Sequence, residues 1–505
     1  MSSTASAGPT GVWLIGARGS VATTAVAGCA AMTAGLHPPT GMVTETPPFA
    51  DTGLPALSSL VFGGHDTVAC PLPKRAEHLA AGGVLPHDLP TAVHAELTAA
   101  DAEIRTGGPL PGDTRTDEEL ITAFATEITD FIHRRGLARA VVLNVASTEP
   151  VSGAGALGGL GGTGTRGSEG MRGSEGTRGL GCPAGSGAGG ALEGSGVSGA
   201  EGVVGVVGAV GVAGAEGVSG VSGVSGASGS RASGVSGVSG VSEASGALSA
   251  SGALGAPGAP GAPGAPGALG VPGAPGAPAS REGDRLPPSS LYAAAALRAG
   301  CPYVNFTPST GLHHPTLAPL AALSGLPYAG RDGKTGQTLL RSVLGPMFAQ
   351  RALAVRAWSG TNLLGGGDGA ALADPAAAAA KNAGKERVLA DTLGTTPQGE
   401  VHIDDVPALG DWKTAWDHIA FDGFLGTRMT LQTTWQGCDS ALAAPLVLDL
   451  ARLLARAHER GLTGPLPQLA FYFKDPDPGA TSALAEQYAA LVGFGTRLRG
   501  GVSGA

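Results

Sequence analysis

The chain holds 31 basic residues, of which only Lys74, Lys334, Lys381, Lys385, Lys413 and Lys474 are lysines. Wherever a plain positive charge serves, arginine supplies it. A lysine present against that bias does what arginine cannot, because it sheds its proton when desolvated or crowded by another cation. Five of the six lie beyond residue 330, interspersed with Asp332, Asp368, Asp411 and Asp439. Taken singly, each reads equally well as an ordinary solvated lysine. As a group they point to a pocket for an anionic substrate in which at least one lysine transfers a proton.

A second constellation opens the chain. Val12 to Ile15 read as a short buried strand, Gly16 and Gly19 as a turn, and Thr23 to Leu36 as an Ala-rich helix. Strand, glycine turn and helix N-terminus together hold a dinucleotide pyrophosphate, since backbone N–H groups and the helix dipole face the phosphates. The spacing is G-x-x-G-x-x-A rather than the full G-x-G-x-x-G, so a plain tight turn stays open as the alternative. Glu45, ending GMVTE, falls about where an acidic residue meets an adenosine ribose. VFGGHD reads as a second glycine turn closed by Asp66, and AVVLNVASTEP as a buried strand running into polar residues at a ligand crevice.

Other functions are excluded by composition. The net charge is −9 and no basic run exceeds Arg134-Arg135, which argues against nucleic acid or an anionic membrane as partner. The five cysteines are scattered, with no C-x-x-C or H-E-x-x-H pattern, so neither a disulfide framework nor a zinc site is signalled. No signal sequence or membrane span is read, and the compartment reads as reducing cytosol.

The elements that must position these residues lie on either side of a different material. Residues from about 151 to 286 are glycine-rich, and glycine recurs every third residue from Gly196 to Gly229 with Ser and Val, then in a new frame with Ala and Pro. The frame breaks and no aromatic residue is present to build a core, so a disordered surface-loop insertion is expected rather than a collagen helix. Order is expected to resume at LPPSSLYAAAALRAG, capped by Ser289 or Ser290. LPYAGRDGKTGQTLL reads as another strand, glycine turn and helix. HIDDVPALGDWKTAWDHIAF and FLGTRMTLQTTWQGCDS alternate like antiparallel strands, LAAPLVLDLARLLARAHERG as an amphipathic helix, and LAFYFKDP as a short strand carrying Lys474. Lys381 and Lys385 fall four apart, on one face if their segment is helical.

GARGSVATT, VFGGHD, NVASTEP, VNFTPS, AGRDGKTGQT, GDWKTAWDH and GCDSALAAPLVLDL resemble the inositol-3-phosphate synthase (1L-myo-inositol-1-phosphate synthase) family, in its bacterial branch. The resemblance implies an α/β fold: a Rossmann-type NAD-binding domain with an inserted mixed α/β catalytic and oligomerisation domain, here with a long disordered Gly-rich insertion besides. Residues 1–150, 287–330 and 441–505 would build the NAD-binding domain, 331–440 the catalytic and tetramerisation domain, and 151–286 the low-complexity insertion. It further implies a cytoplasmic homotetramer that cyclises D-glucose 6-phosphate to 1D-myo-inositol 3-phosphate. The steps would be oxidation, enolisation, intramolecular aldol closure and re-reduction, with NAD as cofactor and no net redox change. Relatives differ in response to a monovalent or divalent cation, and no metal site is assigned.

Carried over by position, Lys381, Lys413 and Lys474 match the family's catalytic lysines, with Lys385 as a phosphate-side partner and Lys334 for phosphate binding or charge balance. Asp332, Thr335, Asp368, Asp411, Asp439 and Ser440 match positions lining the nicotinamide and substrate. Gly16, Gly19, Ser20, Val21, Asp66, Ala146, Ser147 and Thr148 match those around the pyrophosphate and adenosine. Gly366-Gly367 stand where many relatives carry asparagine. A related NAD-dependent cyclase or dehydrogenase on another sugar phosphate stays open as the alternative. So does a non-catalytic scaffold, although no matched lysine is lost.

Overall fold

The computed structural model describes residues 8–110, 112–146, 285–365 and 386–499. These all fall in one compact unit, Met1–Ala184 with Pro278–Ala505. Ser147, Thr148, Asp368, Lys381, Lys385, the Gly366-Gly367 pair and nearly all of the 151–286 tract lie outside the described residues.

Seven strands form one parallel sheet: β1 (Thr10–Ile15), β2 (Leu60–Asp66), β3 (Ile104–Thr106), β4 (Arg139–Asn144), β5 (Tyr303–Asn305), β6 (Pro327–Gly330) and β11 (Gly464–Pro465). Their order across the sheet is β11-β6-β5-β4-β1-β2-β3. That is the doubly wound Rossmann order extended by one strand, and the order reverses between β1 and β4. VFGGHD is therefore strand β2 and not the turn its two glycines suggest. Gly64 is required there because a Cβ would lie 2.0 Å from the Leu14 carbonyl oxygen of β1.

Helices cover both faces, as an all-parallel sheet requires. One face is closed by α1 (Ser20–Thr33), α2 (Leu72–Ala81) and α6 (Asp439–Glu459), the other by α3 (Asp117–Arg134) and α4 (Pro288–Arg298). Helix α3 starts with a capping box between Thr116 and Glu119. The α4 helix begins on Pro287-Pro288 instead of a serine cap. Ser289 and Ser290 sit inside its first turn, where Ser289 Oγ accepts from Gly311 N (3.1 Å) and Ser290 Oγ donates to Gly311 O (2.9 Å). Helix α6 buries Val447, Leu448, Leu450, Leu453 and Leu454, each worth about 2 kcal/mol in area removed from water.

A second, four-stranded sheet has the order β10-β9-β7-β8, with β7 at Ala354–Leu364, β8 at Val401–Asp405, β9 at Trp412–Asp422 and β10 at Arg428–Cys438. The β9–β10 pair is antiparallel as its alternation predicts, while β8 lies parallel to β7. Its core side packs Trp358 and Ile419 against Phe348 of α5 (Gln337–Gln350). The chain then returns through α6 to β11 and ends in α7 (Leu484–Arg499). LAFYFKDP is not a strand: Pro467–Tyr472 form a 3-10 helix, and only Phe473 bridges back, to Gly333.

Candidate active-site cleft

A cleft of about 540 Å3 lies where the carboxyl ends of β1, β4 and β5 meet α5 and the second sheet. Gly16, Gly19, Ser20, Val21, Asp66 and Ala146 line its cofactor side. Asp332, Thr335, Asp411, Lys413, Asp439, Ser440 and Lys474 line the side nearer the second sheet. All the sequence-expected site residues among those described are thus brought together, except Lys334 and Glu45.

The glycine turn fits a dinucleotide. Gly16 has φ +83, and a Cβ there would lie 2.6 Å from Ala146 Cα, so only glycine lets β1 and β4 approach at the switch point. Gly16 N and Ala17 N both donate to the His65 carbonyl oxygen, at 2.9 and 3.1 Å. Asp66 closes β2, where the acidic residue for a ribose belongs. Its carboxylate accepts from Arg18 N (2.6 Å) and Val68 N (2.7 Å), which fixes its place at the rim. Glu45 does not serve this role: it pairs with Arg452 at 2.5 Å beside a separate surface hollow, because the 43–45 segment winds into a 3-10 turn packed on α6.

Two lysine–carboxylate pairs face the cleft. Lys474 Nζ donates to Asp332 Oδ1 at 2.8 Å, and a short backbone ladder joins their segments, Lys474 N to Asp332 O at 2.6 Å and Lys334 N to Tyr472 O at 2.9 Å. Asp332 itself holds φ +61, a sparsely populated conformation for a non-glycine residue. Lys413 Nζ bonds Asp439 Oδ1, which also accepts from Thr335 Oγ1 at 3.0 Å. Both lysines are largely buried, so their ammonium groups act in a medium of lower dielectric than water.

Lys334 turns the other way. Its Nζ bonds Gln487 Oε1 of α7 and lies 6.0 Å from the centre of the Phe471 ring, behind the cleft wall. Burial lowers its pKa to about 7. The depressed lysine sought in the sequence exists, but the structure does not bring it to the cleft.

Several cleft residues were not anticipated. The N-terminus of α5 opens into the cleft at Gly336, Gln337 and Thr338, and a Cβ on Gly336 would stand 2.7 Å from Lys413 Nζ. Free N–H groups beside an ammonium make this end a place for an anion. Read as a phosphate-binding turn, the T-G-Q-T sequence could have signalled it. Asn144, a polar residue at the crevice end of β4 as the sequence suggests, joins the unanticipated Asn305 and Thr307 in a buried lattice, with Thr307 Oγ1 donating to Asn305 Oδ1 at 2.8 Å. His65 also lines the cleft. Trp13 Nε1 donates to its Nδ1 (3.0 Å), so the proton sits on Nε2 facing Glu127 (2.5 Å), and burial lowers the imidazole pKa.

Among the described residues no helix is long and apolar enough to cross a membrane, and no group of three His, Cys, Asp or Glu side chains is placed to hold a metal.

A Rossmann sheet whose switch-point glycine turn faces a lysine- and aspartate-lined cleft under a second sheet defines a dinucleotide-binding α/β protein. Two family models, each described as myo-inositol-1-phosphate synthase, match residues 10–155 and 336–440. The first of these is the family's NAD-binding part. Over these two segments the chain matches the myo-inositol-1-phosphate synthase family. It is 35% identical over 200 residues to inositol-3-phosphate synthase 1 of Bacteroides thetaiotaomicron, covering 38% of this chain and 46% of that protein. Against inositol-3-phosphate synthase of Trypanosoma brucei brucei it is 35% identical over 195 residues, covering 36% of each. The aligned region thus spans less than half the length of these curated relatives. Among solved structures, inositol-3-phosphate synthase from Caenorhabditis elegans superposes with a TM-score of 0.66 at 18% identity, over 97% of this chain and 86% of the other. A myo-inositol-1-phosphate synthase-related protein from Thermotoga maritima gives 0.59 at 18%, over 97% and 98%. At that identity the two structures speak to the fold alone.

Proposed function

We propose that this chain is an NAD-dependent cyclase that converts D-glucose 6-phosphate to 1D-myo-inositol 3-phosphate with no net redox change. The observation that carries the reading is the cleft itself, where two lysine–carboxylate pairs and an open helix N-terminus face the dinucleotide turn. NAD, when bound, would supply reversible hydride-acceptor chemistry. Gly16, Gly19, Ser20 and Val21 would hold its pyrophosphate and Asp66 its ribose, with Ala146, Ser147 and Thr148 beside them. The N-terminus of α5 and Lys413 would hold the substrate phosphate, joined by Lys385.

The remaining work is proton transfer. Lys474, oriented by Asp332, is placed to take and return the proton of a sugar hydroxyl. An enolate formed from the substrate needs nearby positive charge, which Lys381, Lys413 and Lys474 would provide together in a site shielded from water. Asp368, Asp411, Asp439 and Ser440 would complete the lining, with Asp332 and Thr335. We assign cofactor binding to 1–150, 287–330 and 441–505, and catalysis and assembly to 331–440. The long open edge of β10 and the exposed Phe424-Leu425 turn suit an assembly role for the second sheet. A cytoplasmic homotetramer is the corresponding expectation, and activation by a monovalent or divalent cation belongs to the same proposal.

Purified protein incubated with glucose 6-phosphate and NAD, followed by phosphorus NMR, tests the reading. Inositol phosphate forming without net NADH is expected. Accumulating NADH with an oxidised sugar would assign a dehydrogenase instead, and bound NAD without turnover would leave only the scaffold.

A further inference from the structure

A buried polar relay runs from beneath the cleft floor to its lining, and no role assigned so far to cofactor or phosphate binding explains it. Asp417 of β9 is 2% exposed, Gln337 at the start of α5 is 4% and Asn362 of β7 is 6%. Asp417 Oδ1 accepts from Gln337 Nε2 and from Trp358 Nε1, both at 2.8 Å. Gln337 Oε1 in turn accepts from Asn362 Nδ2 at 3.1 Å. The guanidinium of Arg341, one turn further along α5, stands 3.6 Å from the same carboxylate, an ion pair rather than a hydrogen bond. Its 5.5 Å approach to the Trp358 ring completes the setting. The packing leaves no slack, because a Cβ on Gly360 would lie 2.4 Å from Gln337 Nε2 and 3.0 Å from Asp417 Oδ1.

The order of donors is forced. An ionised carboxylate only accepts, so Gln337 must turn its amide nitrogen to Asp417 and its carbonyl oxygen away. That oxygen only accepts, so Asn362 must turn its nitrogen to Gln337. Gln337 and Asn362 both line the cleft, whereas Asp417 and Arg341 do not. We infer that Asp417 is a positioning residue which, acting through Gln337, fixes Asn362 with its carbonyl oxygen as the acceptor offered to a substrate hydroxyl beside the anion-binding end of α5. The inference rests on the sugar phosphate reading of the cleft and adds a specificity element to it: the site accepts a hydrogen bond from the sugar at this point and discriminates against a sugar lacking that hydroxyl.

The test is a mutant cycle on the NAD-loaded enzyme. Asp417→Leu removes the oxygen that accepts from Gln337 Nε2, so the Gln337 amide, and through it the Asn362 carbonyl oxygen, is no longer held in one orientation. Asp417→Asn would not serve, because the Trp358 indole keeps an amide oxygen at the same place. The expected result is an about tenfold fall in kcat/KM for glucose 6-phosphate, carried mainly by KM, with NAD affinity unchanged. Adding Asn362→Asp to that variant supplies an acceptor in either orientation and recovers most of the loss, although Asn362→Asp alone lowers kcat/KM. If Asp417→Leu does not fold, Gln337→Met, which leaves the Trp358 and Arg341 contacts in place, is expected to give a similar rise in KM. A folded Asp417→Leu with unchanged KM, a loss that Asn362→Asp does not rescue, or an unchanged KM in Gln337→Met overturns the inference. Wild-type protein that fails to turn over glucose 6-phosphate overturns the proposed function instead.

Discussion

Lys334 gives the sharpest physical prediction, because a buried lysine bonded to the Gln487 amide, with no carboxylate partner among the described residues, must declare itself in the pH dependence of stability. Burial lowers its pKa from 10.5 to about 7. Between those values the unfolded chain holds a proton that the folded chain has released, so stability rises with pH across this window. Below pH 7 both forms are protonated and the folded protein carries the whole cost of burying the charge. Above 10.5 neither is protonated and the cost is gone. Integrating from pH 7 to pH 9, the wild type gains about 2 kcal/mol that a non-titrating side chain does not.

Lys334→Met removes the titration and keeps the bulk. It also strands Gln487 Oε1, a loss of about 1–3 kcal/mol that does not vary with pH over this range. The difference in melting temperature, wild type minus variant, is therefore expected to climb by a few degrees between pH 7 and pH 9. Thermal melts of both proteins at half-unit intervals provide the measurement, and the subtraction cancels every other titrating group. Lys334→Arg, which cannot shed its proton, should fall progressively below the wild type over the same range. Parallel curves for wild type and Lys334→Met would refute the assignment of a largely neutral, desolvated lysine.

Other consequences are simpler to state. Gly16→Ala forces a Cβ to within 2.6 Å of Ala146 Cα at a φ of +83, and should weaken NAD binding by at least tenfold in a titration, with an unaltered dissociation constant counting against the switch-point site. Lys474→Met should reduce inositol phosphate formation by at least about a hundredfold at saturating substrate. Asp332→Asn should lower the rate by a smaller factor through loss of the 2.8 Å tether, and equal rates in all three proteins would remove this pair from the chemistry. In Gly336→Ala the new methyl meets only the far end of Lys413, so the chain should fold normally while KM for glucose 6-phosphate rises. A normal KM would place the phosphate elsewhere.

Much of the scaffold is legible because it follows from short-range physics. Val12 to Ile15 read as a buried strand from their apolar run, within the observed Thr10–Ile15, α1 from its alanines, and the β9–β10 pair from its alternation. The misreadings share one cause, which is that local chemistry was overruled by distant packing. Gly63 and Gly64 suggested a turn, yet they sit in β2 because Trp13, Phe131 and the Leu14 carbonyl leave no room for side chains. Glu45 looked like a ribose ligand until Arg452, some four hundred residues away, claimed it. Lys334 is two residues from Asp332, but the turn between them sends one side chain into the cleft and the other to Gln487. No spacing rule distinguishes those two directions. The relay from Asp417 to Asn362 was equally out of reach, since its members come from a helix and two strands joined only by tertiary contact.

The region around the start of β9 shows how the two halves of the cleft are held in register. Asp411 lies in the turn that precedes β9, and Trp412 and Lys413 are the first two residues of the strand. Asp411 Oδ1 accepts from Ser20 Oγ at 2.6 Å, and Arg75 donates to that same hydroxyl at 2.6 Å, which ties the second sheet to the first residue of α1 beside the glycine turn. Two residues on, Lys413 reaches Asp439 and the N-terminus of α5. Trp412, which also lines the cleft, donates its indole N–H to Gly82 O at 2.8 Å. Three consecutive residues thus reach from the dinucleotide turn to the anion-binding helix end. A displacement of the start of β9 would disturb the tie to Ser20 and the Lys413–Asp439 contact together, so cofactor side and substrate side are held in register by the same short segment.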